Sequence, residues 1–265
     1  MKKLPFFDNE GIKIYYEIEG EGPNLMMIHG FAANIDMNWR VTNWIKTLKD
    51  ENRLILLDCR GHGKSDKPTN PAQYGNKMIE DIIKLMDHLS IQKANFFGYS
   101  MGARLTLFTL INHPERVKCA ILGGFVLPSP QDKQTSFRYD SVINAFKAES
   151  IKMVKDPIGK EFRRFAESTG ADLNALAAVM MAYQQAPEDT YETRAGYKKV
   201  LKKITVPVMT AVGSDDFLPG DKTLFAKLVP NACHFQIQGR DHLTFVPDPK
   251  FHVIVKAFLN YVNSL

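Results

Sequence analysis

The chain reads as an α/β protein, with a mostly parallel twisted sheet covered by helices on both faces and a helical segment inserted into it. Three observations predict this. Short, continuous apolar runs such as Leu25-Met26-Met27-Ile28 and Leu54-Ile55-Leu56-Leu57 have the pattern of strands buried on both faces. They alternate with amphipathic helical stretches, as successive βα units require. Small and polar residues then recur just after the apolar runs, at the strand ends where open α/β sheets bind ligands. A length of 265 residues with 45% hydrophobic content suffices for one substantial core and an inserted lobe.

In order, residues 12–18 alternate apolar and polar positions and predict an antiparallel edge strand, with 4–7 pairing to it as a hairpin. The two apolar runs follow, the first ending in His29-Gly30-Phe31 and the second in Asp58. Between them, 39–48 reads as one helix with Trp39, Trp44, Ile45 and Leu48 inward. Further strands are predicted at 95–97, 119–122, 206–212 and 234–237, and helices at 79–89, 103–111, 222–228 and 250–262. One interval breaks the rhythm. Residues 127–199 hold no convincing parallel strand, only helical patterns at 142–154, 161–168 and 173–184 punctuated by Pro128, Pro130, Pro157 and Pro187. We expect a core of 1–126 and 200–265, with 127–199 as a helical lobe inserted between its fifth and sixth parallel strands.

Composition excludes several classes. The net charge of +5 comes from interspersed charges of both signs, and the Lys198 to Lys203 cluster reads as a solvated helix face, so nucleic-acid binding has no footprint. Cys59, Cys119 and Cys233 show no metal or redox spacing and read as buried thiols. No apolar run approaches the roughly 18 residues of a membrane span, and the start Met1-Lys2-Lys3-Leu4-Pro5 reaches proline before a signal core could form. The expectation is a soluble cytoplasmic protein whose partner is a small-molecule substrate, with the oligomeric state open. No dinucleotide fingerprint, phosphate loop or metal-ligand set is present, so no cofactor or metal is called for.

The chemistry centres on Gly98-Tyr99-Ser100-Met101-Gly102, set between an apolar strand and a helical pattern. Small residues two before and two after the serine let strand and helix approach while the hydroxyl is presented at the strand end. The bland alternative is a glycine-rich turn whose serine caps the helix. A nucleophilic serine needs a base, and the base needs a carboxylate to set its tautomer. Ser100, Asp215-Asp216 and His242 follow predicted strands in that order.

Together with His29-Gly30-Phe31, the block Asp58-Cys59-Arg60-Gly61-His62-Gly63-Lys64-Ser65, Gly213-Ser214-Asp215-Asp216 and Gly239-Arg240-Asp241-His242, this motif makes the chain resemble the α/β-hydrolase fold superfamily along essentially its whole length. The resemblance implies Ser100 as nucleophile, Asp216 as acid and His242 as base, an oxyanion hole from the backbone N–H groups of Phe31 and Met101, and a lid made by the inserted lobe. For the acid, three residues beyond Gly213 selects Asp216, whereas counting back from Pro219 favours Asp215; the turn leaving the strand favours Asp216. Of the remaining histidines, His29 reads as a brace of the oxyanion turn and His62 as the organiser of its own loop, while His88, His113, His234 and His252 read as structural. Arg104 reads as a helix-packing residue. Phe31, Trp39, Phe125, Met180, Met181, Phe217 and Phe245 are candidates for the substrate pocket, with Phe137, Phe162, Phe165 and Tyr183 beside them. With no cation cluster at the strand ends, an apolar acyl or aryl substrate is expected.

The activity implied is cleavage of a carboxylic ester through an acyl-serine. A thioesterase, an amidase, a carbon–carbon bond hydrolase or a perhydrolase could use the same triad. Epoxide hydrolases and haloalkane dehalogenases are disfavoured, since the resemblance places Asp in them where Ser100 stands here. The rival of another class is a non-catalytic ligand-binding protein on the same scaffold.

Overall fold

The computed structural model describes residues 5–127, 138–185 and 199–265. Residues 1–4, 128–137 and 186–198, among them Leu4, Pro128, Pro130, Phe137, Pro187 and Lys198, lie outside them. Strands β1 (Phe6–Asn9), β2 (Ile12–Glu19), β3 (Asn24–Ile28), β4 (Arg53–Leu57), β5 (Ala94–Tyr99), β6 (Val117–Gly123), β7 (Val208–Gly213) and β8 (Ala232–Ile237) form one sheet in the order 1-2-4-3-5-6-7-8. The pairs β1–β2 and β2–β4 are antiparallel, and every other neighbouring pair is parallel. The edge strand is therefore β1 and not the 12–18 segment, which pairs on both sides.

Residue alternation explains how the sheet holds two layers together. Met26, Ile28 and Phe96 point into one core with Ile79, Ile82 and Leu85 of α2 (Asn76–His88) and Leu105 and Leu107 of α3 (Met101–Asn112). Their neighbours Leu25, Met27 and Phe97 point the other way, onto α1 (Trp44–Leu48) and α8 (Pro249–Asn263) through Trp44, Phe251 and Val255. The expected helix over 39–48 is broken: a π-helical turn, Asp36–Arg40, precedes α1, and Asn43 between them takes a left-handed φ of 65°. Trp39, Trp44, Ile45 and Leu48 are nonetheless all buried.

Between β6 and β7 lie α4 (Tyr139–Lys147), α5 (Pro157–Ser168) and α6 (Leu173–Gln184), packed around Val142, Phe146, Ala166, Leu176 and Met180. Counting β3, β4 and β5 as the first three, β6 and β7 are the fourth and fifth parallel strands, so the insertion falls one parallel strand earlier than expected. The pattern read as 142–154 stops at Lys147, and Ile151–Met153 forms a separate 3-10 turn started by the Ser150 hydroxyl. Asp156 and Asp172 cap α5 and α6 by accepting from Gly159 N and from the Asn174 and Ala175 N–H groups. Buried Arg163 donates to the Ala145 and Ala148 carbonyls, both at 2.6 Å, tying α5 to the end of α4. Helix α7 (Leu224–Leu228) begins two residues later than expected, because Asp221 holds the Thr223 N–H and hydroxyl in a preceding turn.

The feature that positions the site is register. Parallel pairing sets Ile28 beside Gly98, Tyr99 beside Gly123, Gly123 beside Ala211 and Gly213 beside Ile237. The segments that follow these residues therefore leave the sheet along one edge. At β5 the turn into α3 tolerates no side chain: a Cβ on Gly98 would lie 2.1 Å from the Gly102 carbonyl oxygen, and one on Gly102 would lie 1.9 Å from that of Ile28. Because the obstacles are backbone atoms of neighbouring elements, Gly102→Ala is expected to cost at least about 3 kcal/mol in urea unfolding. A loss below about 1 kcal/mol would mean that strand and helix can separate without penalty.

Candidate active site

Ser100 sits between β5 and α3 with φ 54° and ψ −111°, a conformation an L-residue adopts at a cost of about 1–3 kcal/mol. Its N–H donates to the Gly123 carbonyl at 2.8 Å, and its carbonyl accepts from Arg104 N at 3.1 Å. The turn is thus pinned to β6 and to its own helix, with the side chain projecting past the strand end.

His242 lies in the turn after β8. Asp241 shapes that turn by accepting from the N–H groups of Leu243 and Thr244 and from the Thr244 hydroxyl, bonds that hold its carboxyl below the usual carboxylate range. The Tyr99 hydroxyl donates to the His242 carbonyl at 2.5 Å, so the residue preceding the serine also anchors the histidine. Burial pushes that phenol well above its ordinary pKa, which keeps it a donor. With its backbone so placed, the imidazole makes two bonds: Nδ1 with Asp216 Oδ2 at 2.8 Å and Nε2 with Ser100 Oγ at 2.9 Å. The carboxylate can only accept, so Nδ1 carries the proton and Nε2 offers its lone pair to the serine hydroxyl.

The structure separates the two candidate acids by direction. Asp216 is buried, turns its second oxygen to the Leu218 N–H at 2.9 Å, and faces the imidazole. Asp215 is exposed, and its carboxyl accepts from the Ser214 hydroxyl instead. Asp216, and not its neighbour, is in reach of His242.

The loop after β3 lies across from Ser100. His29 is fully buried; the Cys59 N–H donates to its Nε2 at 3.0 Å, so its Nδ1–H donates to the Gly30 carbonyl at 2.7 Å. His29 therefore braces the turn carrying Phe31. Asp58, after β4, accepts from Ile35 N and Lys64 N and joins the same loop to the next one. Among the described residues, the Phe31 and Met101 N–H groups donate to no protein acceptor. Phe31 itself stacks on Phe146 at 5.9 Å, meets Phe162 and stands edge-on to His62, linking the loop to α4 and α5.

These elements surround a cavity of about 180 Å³ that opens onto Ser100 and His242 and is walled by Phe31, Met37, Asn38, Tyr99, Phe165 and Leu243. Of the seven pocket candidates, Phe31 lines it. Trp39 and Phe245 are wholly buried in the core under the sheet, 4.9 Å from Phe97 and 4.3 Å from Phe251 respectively, because their positions face inward from the turns that carry them. Phe125 packs against Phe225, while Met180 and Met181 belong to the α4–α6 cluster. Phe217 is exposed, its ring 5.2 Å from that of His242, and it is not among the residues that wall the cavity. The Arg104 guanidinium lies over the Tyr183 ring at 4.7 Å, a packing contact between α3 and α6. The walls that sequence reasoning missed, Met37, Asn38, Tyr99 and Leu243, carry no motif; only Tyr99 and Leu243 could have been found, as immediate neighbours of Ser100 and His242. Among the described residues no group of three or more His, Cys, Asp or Glu side chains is placed to hold a metal, and no helix is long and apolar enough to cross a membrane.

Below the cavity, His62 is buried against His29, with ring centroids 5.2 Å apart. Burial, and secondarily the neighbouring imidazole, pushes its pKa down to about 3, and burial lowers that of His29 as well. Both are therefore neutral in the fold, whereas the unfolded chain would protonate them as pH falls below their ordinary 6.5. The unfolded state binds more protons, so the stability they contribute is present above pH 6.5 and lost on acidification. Urea unfolding between pH 6.5 and about 4.5 should show stability falling by up to about 1.4 kcal/mol per pH unit for each such imidazole, with a shallower fall in His62→Gln. Equal slopes in the two proteins would contradict the burial of a neutral ring at position 62.

Comparison with known proteins agrees with this architecture. Residues 23–249 match the alpha/beta hydrolase fold family. A 2-hydroxymuconate semialdehyde hydrolase of Pseudomonas sp. (strain CF600) is 34% identical over 117 residues, covering 43% of this chain and 40% of that protein. Epoxide hydrolase 4 of Mus musculus is 29% identical over 124 residues, covering 46% of this chain and 34% of that one. These matches thus span less than half the length of either relative. A carboxylesterase structure from the thaumarchaeon Nitrososphaera gargenis superposes with a TM-score of 0.73 at 23% identity, covering 98% of this chain and 99% of that one.

Proposed function

The chain belongs to the α/β hydrolase fold family, and we propose that it is a hydrolase that cleaves a carboxylic ester of a small to medium apolar substrate through an acyl-Ser100 intermediate. The observation that carries this reading is the His242 imidazole bonded at once to Ser100 Oγ and Asp216 Oδ2, at 2.9 and 2.8 Å. In the proposed reaction Nε2 takes the hydroxyl proton as Oγ attacks the ester carbonyl, and Asp216 stabilises the imidazolium. The oxygen of the tetrahedral intermediate accepts from the Phe31 and Met101 N–H groups, each such donor being worth about 3–4 kcal/mol in the transition state. Collapse expels the alcohol, which leaves with the proton held by Nε2. His242 then deprotonates water, and hydroxide addition to the acyl-serine and a second collapse release the carboxylic acid and restore Ser100. The inserted helices act as a lid in this reading, with Phe165 of α5 forming part of the cavity wall.

Size and polarity support the substrate class. A cavity of about 180 Å³ with Phe31, Met37, Phe165 and Leu243 on its walls suits a short apolar acyl chain. The relative named an epoxide hydrolase does not redirect the reading, because the resemblance to such enzymes calls for Asp where Ser100 stands.

Short p-nitrophenyl esters and a fluorophosphonate probe test the proposal, alongside thioester, amide and β-diketone substrates of matched chain length. Ser100→Ala should lose labelling and at least about 10,000-fold in kcat. Asp216→Asn should lose about as much, through the wrong imidazole tautomer, while Asp215→Asn stays within a few fold of wild type. No turnover of any ester and no Ser100-dependent labelling of folded protein would refute the proposal. Tight ligand binding unchanged in Ser100→Ala, without product, would favour a binding protein.

A further inference from the structure

Asn38 stands on the cavity wall with only half of its carboxamide used. Its Oδ1 accepts the Gly30 N–H at 2.8 Å. A backbone N–H can only donate, so the oxygen must face Gly30 and the amide has one orientation. That leaves Nδ2, whose two N–H groups are buried without any hydrogen-bond partner, on a residue only 6% exposed. Buried donors in folded proteins are nearly always paired, and one left open beside a cavity calls for a ligand acceptor.

The position fits that role. A methyl group built on Gly30 would lie 3.3 Å from Asn38 Oδ1 and 3.6 Å from Ser100 Cβ, so the carboxamide flanks the serine across a single glycine. Its backbone is held from both sides: Asn38 N donates to the Asn34 carbonyl at 2.9 Å, and the Thr42 hydroxyl donates to the Asn38 carbonyl at 2.5 Å. The side chain is thus a held donor on a wall it shares with the apolar side chains of Met37 and Phe31. No Lys, Arg, Asp or Glu lines the cavity, so a charged ligand group there would go uncompensated and a neutral oxygen is the matching acceptor.

We propose that Asn38 is a specificity-determining residue whose Nδ2–H donates to a neutral oxygen carried by the substrate's acyl group close to the scissile carbonyl. The enzyme accordingly prefers oxygen-bearing short acyl groups (ether, keto or hydroxy) over alkyl groups of the same shape. The assignment rests on the acyl-Ser100 reading for which part of the substrate reaches the cavity.

The test uses pairs in which an ether oxygen replaces a methylene: p-nitrophenyl methoxyacetate against butanoate, and 3-methoxypropanoate against pentanoate. Each kcat/KM is divided by the alkaline hydrolysis rate of the same ester. Wild type should favour the ether in at least one pair by about 3- to 10-fold, the range of one neutral hydrogen bond. Asn38→Asp keeps an oxygen for the Gly30 N–H but replaces the donor with an acceptor, and it should abolish the preference even if it slows both esters. A residue that merely braces Gly30 would leave the ratio unchanged in Asn38→Asp and lower both rates alike in Asn38→Ala; that result overturns the proposal. Calorimetric binding of the corresponding ethyl esters to Ser100→Ala, with and without Asn38→Asp, separates this inference from the reaction assigned above. Ether-selective binding that depends on Asn38, in a protein whose wild type turns over no ester, sustains the donor and refutes the esterase reading. Equal binding of both members of each pair, or none, overturns the donor whatever the turnover.

Discussion

One imidazole joins three strand ends. His242 follows β8, Asp216 follows β7 and Ser100 follows β5, and the two hydrogen bonds of the ring close only if those ends stand at the same level. In-register parallel pairing supplies that level, since each strand hands its last residue to the same edge. The pleat adds rigidity: successive side chains of β3 and β5 are locked into separate cores above and below the sheet. A slip of one residue in β5 would exchange Phe96 for Phe97 between those cores and carry the serine away from the ring.

The loop after β3 is the second constraint, and it is held from both layers. From below, His29 and Asp58 tie it to the β4 exit. From above, the Thr169 hydroxyl at the end of α5 donates to the Ala32 carbonyl at 2.6 Å, while Phe31 packs on Phe146 and Phe162. Ala32 takes a φ of 58°, unfavourable for a residue with a Cβ, and the surrounding bonds hold it there. The helical insertion and the loop after β3 are therefore mechanically continuous.

Backbone strain and buried polarity are both present along this edge, while stabilisation comes from elsewhere. Ser100 and Ala32 occupy unfavourable backbone regions, and His29 and His62 are buried neutral rings. A buried ion pair sits nearby: Arg60 grips both oxygens of Asp81 at 2.6 Å, with Asn9 donating to the same carboxylate. Such a pair is weak evidence for stability, because desolvation offsets most of the attraction, yet breaking one side would strand a charge. Here it orients the loop after β4 against α2 and β1. The apolar surface buried in the two cores on either side of the sheet is what offsets these costs.

Much of this was legible in the chain itself. Apolar runs marked β3 and β4 because strands buried on both faces admit few polar residues, and Gly98 and Gly102 marked the turn because no side chain fits there. The order of Ser100, Asp216 and His242 followed from where strands end. Residues 39–48 have the apolar spacing of one helix because that spacing survives the break at Asn43, which burial of Trp39 and Trp44 tolerates. The cavity walls were not legible: aromatic residues are equally at home in a core, and Trp39 and Phe245 went there while Met37 and Leu243 took the wall. The turn leaving β7 favours Asp216 over Asp215 against the count from Pro219, and the fold shows Asp216 on the imidazole; no local pattern reveals that Asn38 presents an unused donor. Sequence alone determined the elements, their order and the chemical types at their ends, because these depend on periodicity and short-range sterics. Only the tertiary structure decided which side chains meet, because that depends on the direction each turn takes as it leaves the sheet.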